Sequence, residues 1–217
     1  MRRVFVEPGA PQLDALQEAA KWIRNGGLVA LPTDTLYGLA ADPYRVDAVA
    51  RLFAVKGRSA ERGLPLIAAD TEQVIRHMGR LSRTAEGLAQ KFWPGPLTLL
   101  VAAPAALAPA VTGGTGRVGV RVPAHAVARA ICRFADRPVT ATSANRSGQP
   151  ATALPDDVER TLGGDVDLLI DTGPTSGGAP STIVDVAGPE PLLVRAGAIP
   201  WDTIQAWLAI HDTHSPS

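Results

Sequence analysis

The sequence predicts an α/β fold in which helices cover a twisted, open, mixed sheet. Short apolar runs alternate with helical patterns along all 217 residues, as in layered α/β proteins. The run at 97–102 reaches the run at 118–122 without a helical pattern between them, and the last three runs also follow one another without one. Because parallel neighbours need long crossovers, usually helical, some strand pairs should be antiparallel.

Helical periodicity recurs along the chain. In "PQLDALQEAAKWIRNGG", Leu13, Leu16 and Ile23 fall on one helical face, and Gly26 follows as a stop signal. Similar patterns predict further helices at 45–55, 71–78, 82–92, 124–135, 156–162 and 200–209.

Short aliphatic and β-branched runs, bounded by Gly, Pro and Asp, predict the strands. Each is too short for a helix of ordinary length. The predicted strands cover 28–32, 64–69, 97–102, 118–122, 138–142, 167–171, 182–186 and 191–195.

Composition limits the functional classes. Hydrophobic residues make up 46% of the chain, enough for one substantial core, and one domain over residues 1–217 with a flexible tail at 211–217 is expected. Lys+Arg and Asp+Glu both total 21, so net charge supports neither a nucleic-acid coat nor a membrane surface. No apolar stretch could span a bilayer, and the amino terminus does not resemble a secretory signal. A cytoplasmic protein is expected.

Thiol and metal chemistry find little support. Cys132 is the only cysteine and lies in the apolar helical pattern "AVARAICRFA", which favours a buried structural thiol over a nucleophile. The histidines show no metal-ligand spacing, and His125 after Pro123 is typical of a helix start. The chain contains no G-x-S-x-G elbow and no P-loop.

Polar side chains crowd two segments early in the chain. "PTDTLYGLAADP" places Thr33 and Thr35 directly after an apolar strand, where a turn or helix cap would explain them. "FAVKGR" places Lys56 and Arg58 past an apolar helix, where a solvated helix end would be enough.

Three later segments repeat the pattern. In "RVGVRV", Arg117 and Arg121 fall on the same side of an alternating strand, as on any exposed strand face. "TSANRSG" holds Ser143 and Asn145 at a strand end, typical of a turn. "APSTIVDV" and "LLVRAGAI" add Ser181 and Arg195 beside strands, where turn chemistry again suffices.

Taken together, these segments predict an anion cavity. Lysine offers a compact charge, arginine offers a fork that fits phosphate or carboxylate, and hydroxyls and backbone N–H groups add neutral donors. Open α/β sheets bind ligands beyond the carboxyl ends of their strands, where several of these groups lie. A polyphosphate is the ligand that this inventory favours.

These motifs, in this order, resemble the YrdC-like family of threonylcarbamoyl-adenylate synthases, in its short, single-domain form. The resemblance covers about residues 15–200 and rests on ordered segments of this chain: "ALPTDTLYGLAADP", "KGR", "KFWPGPLTLLV", "VGVRVPAH", "TSANRSGQPA", "STIVDV" and "LLVRAGAI". It implies a YrdC-like fold with a basic central cavity. It also implies a nucleotidyltransferase that makes threonylcarbamoyl-AMP and pyrophosphate from L-threonine, bicarbonate or CO2, and ATP.

The resemblance also assigns roles to residues. Catalysis falls to Lys56 and Arg58, and the two ligand sites are formed by the other predicted residues. ATP would contact Lys56, Arg58, Arg117, Ser143, Asn145 and Arg195, and threonine would contact Thr33, Thr35, Arg121 and Ser181. Mg²⁺ would arrive with ATP and need no protein side chain as ligand. The product would pass to a tRNA threonylcarbamoyl transferase complex for the N6-threonylcarbamoyl modification of adenosine 37, with RNA contact as a further expectation.

Two departures from the family pattern affect these assignments. "SAERG" follows "KGR", where many members continue directly with proline, so the local loop differs. Some members place a threonine-binding histidine after the next strand, whereas this chain has Ala69 and Asp70. Two other hypotheses stay open: a paralogue of the same fold with another carbamoyl or nucleotide substrate, and an RNA-binding module.

Overall fold

The structure, a computed structural model, describes residues 1–57, 59 and 63–211. Its mixed strand pairing and covering helices confirm the predicted mixed α/β fold. Of the predicted flexible tail, His211 ends the last helix, and the rest lies outside the described residues.

The helices agree with the predicted ones to within two residues at each end. His125 immediately precedes α5, which confirms its position at a helix start. Within the described part of the chain, none of the helices has the length and apolar character needed to cross a bilayer. The helices are α1 (Leu13–Arg24), α2 (Val46–Lys56), α3 (Thr71–Met78), α4 (Arg83–Phe92), α5 (Ala126–Ala135), α6 (Pro155–Leu162) and α7 (Trp201–His211).

The strands form two hydrogen-bonded sheets. The five-stranded sheet has the order β1-β9-β2-β3-β8, and the six-stranded sheet has the order β11-β10-β5-β6-β4-β7. Each contains both parallel and antiparallel pairs. The strands are β1 (Arg2–Phe5), β2 (Val29–Leu31), β3 (Gly38–Ala40), β4 (Leu66–Ile67), β5 (Leu97–Ala102), β6 (Arg117–Arg121), β7 (Val139–Thr140), β8 (Thr142–Ser143), β9 (Leu168–Asp171), β10 (Thr182–Asp185) and β11 (Leu192–Arg195).

The sequence pattern did not predict two of the strands. β1 is a mostly exposed edge strand that, among the described strands, pairs with β9 alone, so it needs no apolar run. β3 follows the polar loop 32–37 and pairs antiparallel with β2. It is short and contains a glycine and an alanine, so it carries little β propensity of its own. The loop between these two strands, 32–37, is called the β2–β3 loop below.

The strand predicted at 138–142 belongs to both sheets. β7 pairs with β4 in the six-stranded sheet, and β8 pairs with β3 in the five-stranded sheet. Between them, the Ala141 N–H donates to the Pro65 carbonyl at 2.8 Å. The chain therefore passes from one sheet to the other at this point, and it leads directly into Ser143 and Asn145.

The centre of the five-stranded sheet is buried on both faces. In β2, Val29 and Leu31 join one apolar cluster with α1 and α5, while Ala30 joins a second cluster on the opposite face. The strand is consequently apolar at every position, as expected for a strand covered on both sides. α1 and α5 also pack against each other.

Cys132 lies in this core. It is 0% exposed, its Sγ lies 3.5 Å from the Ile67 carbonyl, and burial raises the pKa of the thiol to about 12. The interpretation as a buried thiol is therefore confirmed. We expect iodoacetamide at about pH 8 to leave the folded protein unmodified, because the reactive species is the thiolate. Mass spectrometry of samples treated with and without denaturant measures the alkylation of Cys132. Rapid alkylation of the folded protein would contradict the prediction.

Candidate active site

A cavity of about 950 Å³ is bounded by strands of the six-stranded sheet and by the β2–β3 loop. Its wall combines aliphatic side chains with hydroxyls and arginines that are far apart in sequence. It thus brings together most of the residues that the strand-end pattern singled out. The predicted site residues that line it are Thr33, Thr35, Arg117, Arg121, Ser143, Ser181 and Arg195.

The β2–β3 loop presents two threonine hydroxyls to the cavity. Thr33 Oγ1 donates to the Leu36 carbonyl at 2.7 Å and lies 3.2 Å from Thr35 Oγ1. The Thr35 carbonyl accepts hydrogen bonds from Thr175 Oγ1 at 2.9 Å and from Gly177 N–H at 2.8 Å. Bonds on both sides therefore hold the loop in place, so it forms a defined wall of the site.

The alternation of β6 points two arginines into the cavity. Arg117, Gly119 and Arg121 all line it, as the sequence pattern predicts, while Val120 is fully buried in the core. Because this face looks into a cavity rather than outward, the simpler explanation of an exposed strand face is wrong for Arg121, which is 7% exposed. β6 therefore places two arginines along the same wall of the cavity.

Arg117 is held by Asp185 at the end of β10. Arg117 NH1 donates to Asp185 Oδ2, and Asp185 Oδ1 accepts from the Ala187 N–H at 3.0 Å. Asp185 lines the cavity as well. This carboxylate sets the direction of the Arg117 fork.

Arg121 is a buried cation with unfilled hydrogen-bonding capacity. Its NH1 lies 3.3 Å from Asp34 Oδ1, yet both atoms are buried without a hydrogen bond within the described part of the protein. Burial lowers the pKa of Arg121, Asp34 raises it, and Arg195 lowers it further. Arginine remains protonated even so. Such a group suits a carboxylate or phosphate oxygen, which would accept the hydrogen bonds that it lacks.

Lys56 supports the turn at Ser143 and Asn145. Its Nζ donates to the Ser143 carbonyl at 2.6 Å, to Asn145 Oδ1 at 2.6 Å and to Ser143 Oγ at 3.3 Å. The Lys56 carbonyl also accepts from the Ser147 N–H at 2.8 Å. The carboxyl end of α2 is thereby fastened to the segment that follows β8.

The explanation of Lys56 as a solvated helix end is wrong, because the residue is 2% exposed. Lys56 and Asn145 contact Ser143 from behind and are not among the described residues that line the cavity, whereas Ser143 is. Gly57 ends the helix in the left-handed region at φ 62°, as a terminal glycine commonly does. The other predicted cation of this segment, Arg58, lies outside the described residues.

Ser181 and Arg195 meet beside β10. Arg195 NH2 donates to the Ser181 carbonyl at 2.6 Å and lies 3.2 Å from Ser181 Oγ. Burial lowers the pKa of Arg195. Thr98 in β5 lies beside them, with its Oγ1 2.8 Å from Ser181 Oγ.

Sequence reasoning missed three polar residues of this region. Asp34 stands between two predicted residues, Thr33 and Thr35, and Asp185 is the next-to-last residue of the quoted motif "STIVDV". Thr98 is a lone hydroxyl in the apolar run "LTLLVA", which could have drawn attention to it. Each of them matters because it contacts a residue that is distant in sequence. Spacing along the chain does not reveal such contacts.

Among the described residues, no group of three or more His, Cys, Asp or Glu side chains could hold a metal ion. Asp185 is the carboxylate among the described lining residues, and its oxygens already accept from Arg117 and Ala187. This part of the cavity is therefore better suited to anions than to a bare cation.

Comparisons with known proteins agree with this chemistry. The Sua5_yciO_yrdC family model, described as "Telomere recombination", matches residues 21–197. A threonylcarbamoyl-AMP synthase of Pyrococcus abyssi is 40% identical over 187 residues, covering 86% of this chain and 55% of that protein. One from Bacillus subtilis is 38% identical over 192 residues, covering 88% and 56%.

A solved structure is similar over most of the chain. The crystal structure of P. abyssi Sua5 complexed with L-threonine matches with a TM-score of 0.91 and 36% identity, covering 96% of this chain and 61% of that one. The chain thus spans little more than half the length of the curated relatives named above.

Proposed function

Since the chain belongs to the Sua5_yciO_yrdC family, we propose that it makes threonylcarbamoyl-AMP from L-threonine, bicarbonate or CO2, and ATP. The observation that carries the proposal is the cavity itself. Three arginines, two of them on β6, and several hydroxyls from other strands and the β2–β3 loop face one space of about 950 Å³, within the size range of small-molecule sites. An enzyme that binds both a carboxylate and a polyphosphate needs such a set of hydrogen-bond donors.

The proposed reaction requires no protein nucleophile. The threonine amine adds to CO2, forming an N–C bond and losing a proton to give a carbamate. A carbamate oxygen then attacks the α-phosphorus of ATP, an O–P bond forms, and the bond to the departing pyrophosphate breaks. The protein contributes by holding the reactants in line and by stabilising the charge that shifts toward pyrophosphate.

The cavity offers two groups of contacts for these reactants. We place threonine at Thr33, Thr35, Arg121 and Ser181, where Arg121 offers its charge to the carboxylate or carbamate. We place the nucleotide at Arg117, Ser143 and Arg195, with Asn145 behind Ser143. The catalytic roles of Lys56 and Arg58 stay predictions. In the described structure the Lys56 ammonium hydrogen-bonds to the Ser143 turn, which supports a role in shaping the nucleotide site.

Mg²⁺ would be supplied with ATP, held by phosphate oxygens and water. Bound in that way, it would neutralise phosphate charge. The described lining residues fit this arrangement, because Asp185 is already engaged by Arg117 and Ala187. We further propose a cytoplasmic location, transfer of the product to a separate tRNA threonylcarbamoyl transferase, and RNA contact only as a secondary property.

Omitting one substrate at a time tests this proposal. Pyrophosphate release should require ATP, threonine and bicarbonate together. Serine should support a kcat/KM about tenfold or more below that of threonine, because it lacks one methyl group to bury. A coupled pyrophosphate assay measures both quantities.

The alternatives make different predictions in the same assay. Equal turnover without any amino acid would show a simple ATPase, and activity with another carbamoyl acceptor would favour the paralogue hypothesis. RNA affinity that falls steeply with salt, without nucleotide turnover, would favour an RNA-binding module.

A further inference from the structure

Thr98 contacts the predicted threonine ligand Ser181 at the base of the cavity. β5 and β10 run parallel, with Leu97 opposite Thr182 and Thr98 opposite Ile183, and Ser181 directly precedes β10. The two hydroxyl oxygens are 2.8 Å apart, and both residues line the cavity. Thr98 is 3% exposed, and Ser181 is more exposed. The pair therefore joins a buried hydroxyl to an accessible one.

Arg195 helps to determine which hydroxyl donates. Its NH2 lies 3.2 Å from Ser181 Oγ, and a guanidinium can only donate, so the Ser181 oxygen accepts there. The Thr98 and Ser181 hydroxyls each carry one proton. The hydrogen bond between them uses one of these two protons. If Ser181 donated, the proton of the buried Thr98 would be left without an acceptor within the described residues, which is costly. Donation by Thr98 leaves the Ser181 proton facing the cavity.

The packing of β6 fixes the Thr98 rotamer that this bond requires. A Cβ added to Gly119 would lie 3.0 Å from Thr98 Cγ2, so the threonine methyl occupies the space that glycine leaves. β-Branched side chains are restricted at χ1. With its methyl placed against Gly119, Thr98 keeps Oγ1 toward Ser181.

We propose that Thr98 is a positioning residue for the amino-acid end of the site. It donates to Ser181 Oγ and so directs the Ser181 proton to an oxygen of the bound amino acid or its carbamate. This inference rests on the proposed function, because it takes threonine as the ligand at Ser181. It adds a residue and a hydrogen-bond direction to that site.

Four variants test the proposal: Thr98→Val, Thr98→Ser, Ser181→Ala and the double variant Thr98→Val/Ser181→Ala. Thr98→Val keeps the shape and removes the hydroxyl, so KM for threonine should rise roughly fivefold to tenfold, the effect of one hydrogen bond. KM for ATP should stay within about twofold, and Thr98→Ser should restore most of the threonine affinity. The double variant should resemble Ser181→Ala, because residues that act through one bond are not additive.

The outcomes separate this inference from the proposed function. Failure of the wild-type protein to use threonine would overturn the proposed function, and this inference with it. A wild-type protein that uses threonine, with Thr98→Val unchanged or with the Thr98 and Ser181 losses adding independently, would overturn the role of Thr98 alone. Thermal unfolding checks that each variant is folded. If the valine variant is not, Thr98→Ala removes the same hydroxyl without a branched group, and the same two criteria apply.

Discussion

Replacing Lys56 with methionine should nearly abolish pyrophosphate release and should also destabilise the protein. Methionine is similar in length but donates nothing, so the Ser143 carbonyl and Asn145 Oδ1 would each lose a charged donor at 2.6 Å and would keep the bonds they accept from the Asn145 N–H and Ser143 Oγ, respectively. Hydrogen bonds to a charged group contribute about 1.5–3 kcal/mol each, so the free energy of unfolding should fall by roughly 2–4 kcal/mol. The loosened turn should lower kcat/KM by about a hundredfold, as small displacements of catalytic geometry do.

Denaturant unfolding and the pyrophosphate assay, run on the same preparation, measure both effects. Lys91→Met is a matched control, because Lys91 is exposed on α4 and should tolerate the change. If the Lys56→Met protein had wild-type activity and stability, the hydrogen bonds from Lys56 to the Ser143 turn would not be needed. A large loss of activity with unchanged stability would instead indicate a direct role at the phosphates.

Gly197→Ala should have a comparable effect through the threonine end of the site. A Cβ at this position would overlap the Pro180 carbonyl oxygen and would lie 2.5 Å from both Ser181 C and Thr182 N. These are backbone atoms, so no side chain can move aside. The Ala198 N–H also donates to the carbonyl of Pro180, the residue before Ser181, at 2.8 Å.

The clash must therefore displace the segment that carries Ser181. We expect an unfolding free energy lower by about 1–3 kcal/mol, as for other overpacked positions, and a kcat/KM for threonine lower by roughly a hundredfold. Gly164→Ala is the control, since a Cβ there would meet nothing within 4 Å. Melting temperature and threonine kinetics together measure the effect. An active, stable Gly197→Ala protein would mean that this close approach is not needed.

The helices were predictable because each carries its own signal. α1 has four buried residues on one face, and that face is visible as apolar spacing before any partner is known. α3 directly follows Asp70, whose side chain accepts from the Gln73 N–H in an ordinary amino-terminal cap. Such signals are local, so they survive without knowledge of the fold.

β3 and β8 show what the strand patterns could not predict. β3 has no apolar run long enough to be recognised. β8 begins at the end of the strand predicted at 138–142, yet its pairing with β3 depends on the chain leaving the other sheet after Thr140. Their stability comes from the neighbours with which they pair.

The candidate site was likewise predictable only in part. Residue types and their order along the chain were enough to predict an anion cavity and to single out Arg117, Arg121, Ser143, Ser181 and Arg195, because charge and hydroxyl chemistry belong to the residues themselves. The contacts between Lys56 and Asn145, between Asp34 and Arg121, and between Thr98 and Ser181 join positions that lie up to 89 residues apart. Which side chain is buried, which oxygen receives a proton and where glycine leaves room depend on how the strands pack, because burial and hydrogen-bond partners are properties of neighbours in space.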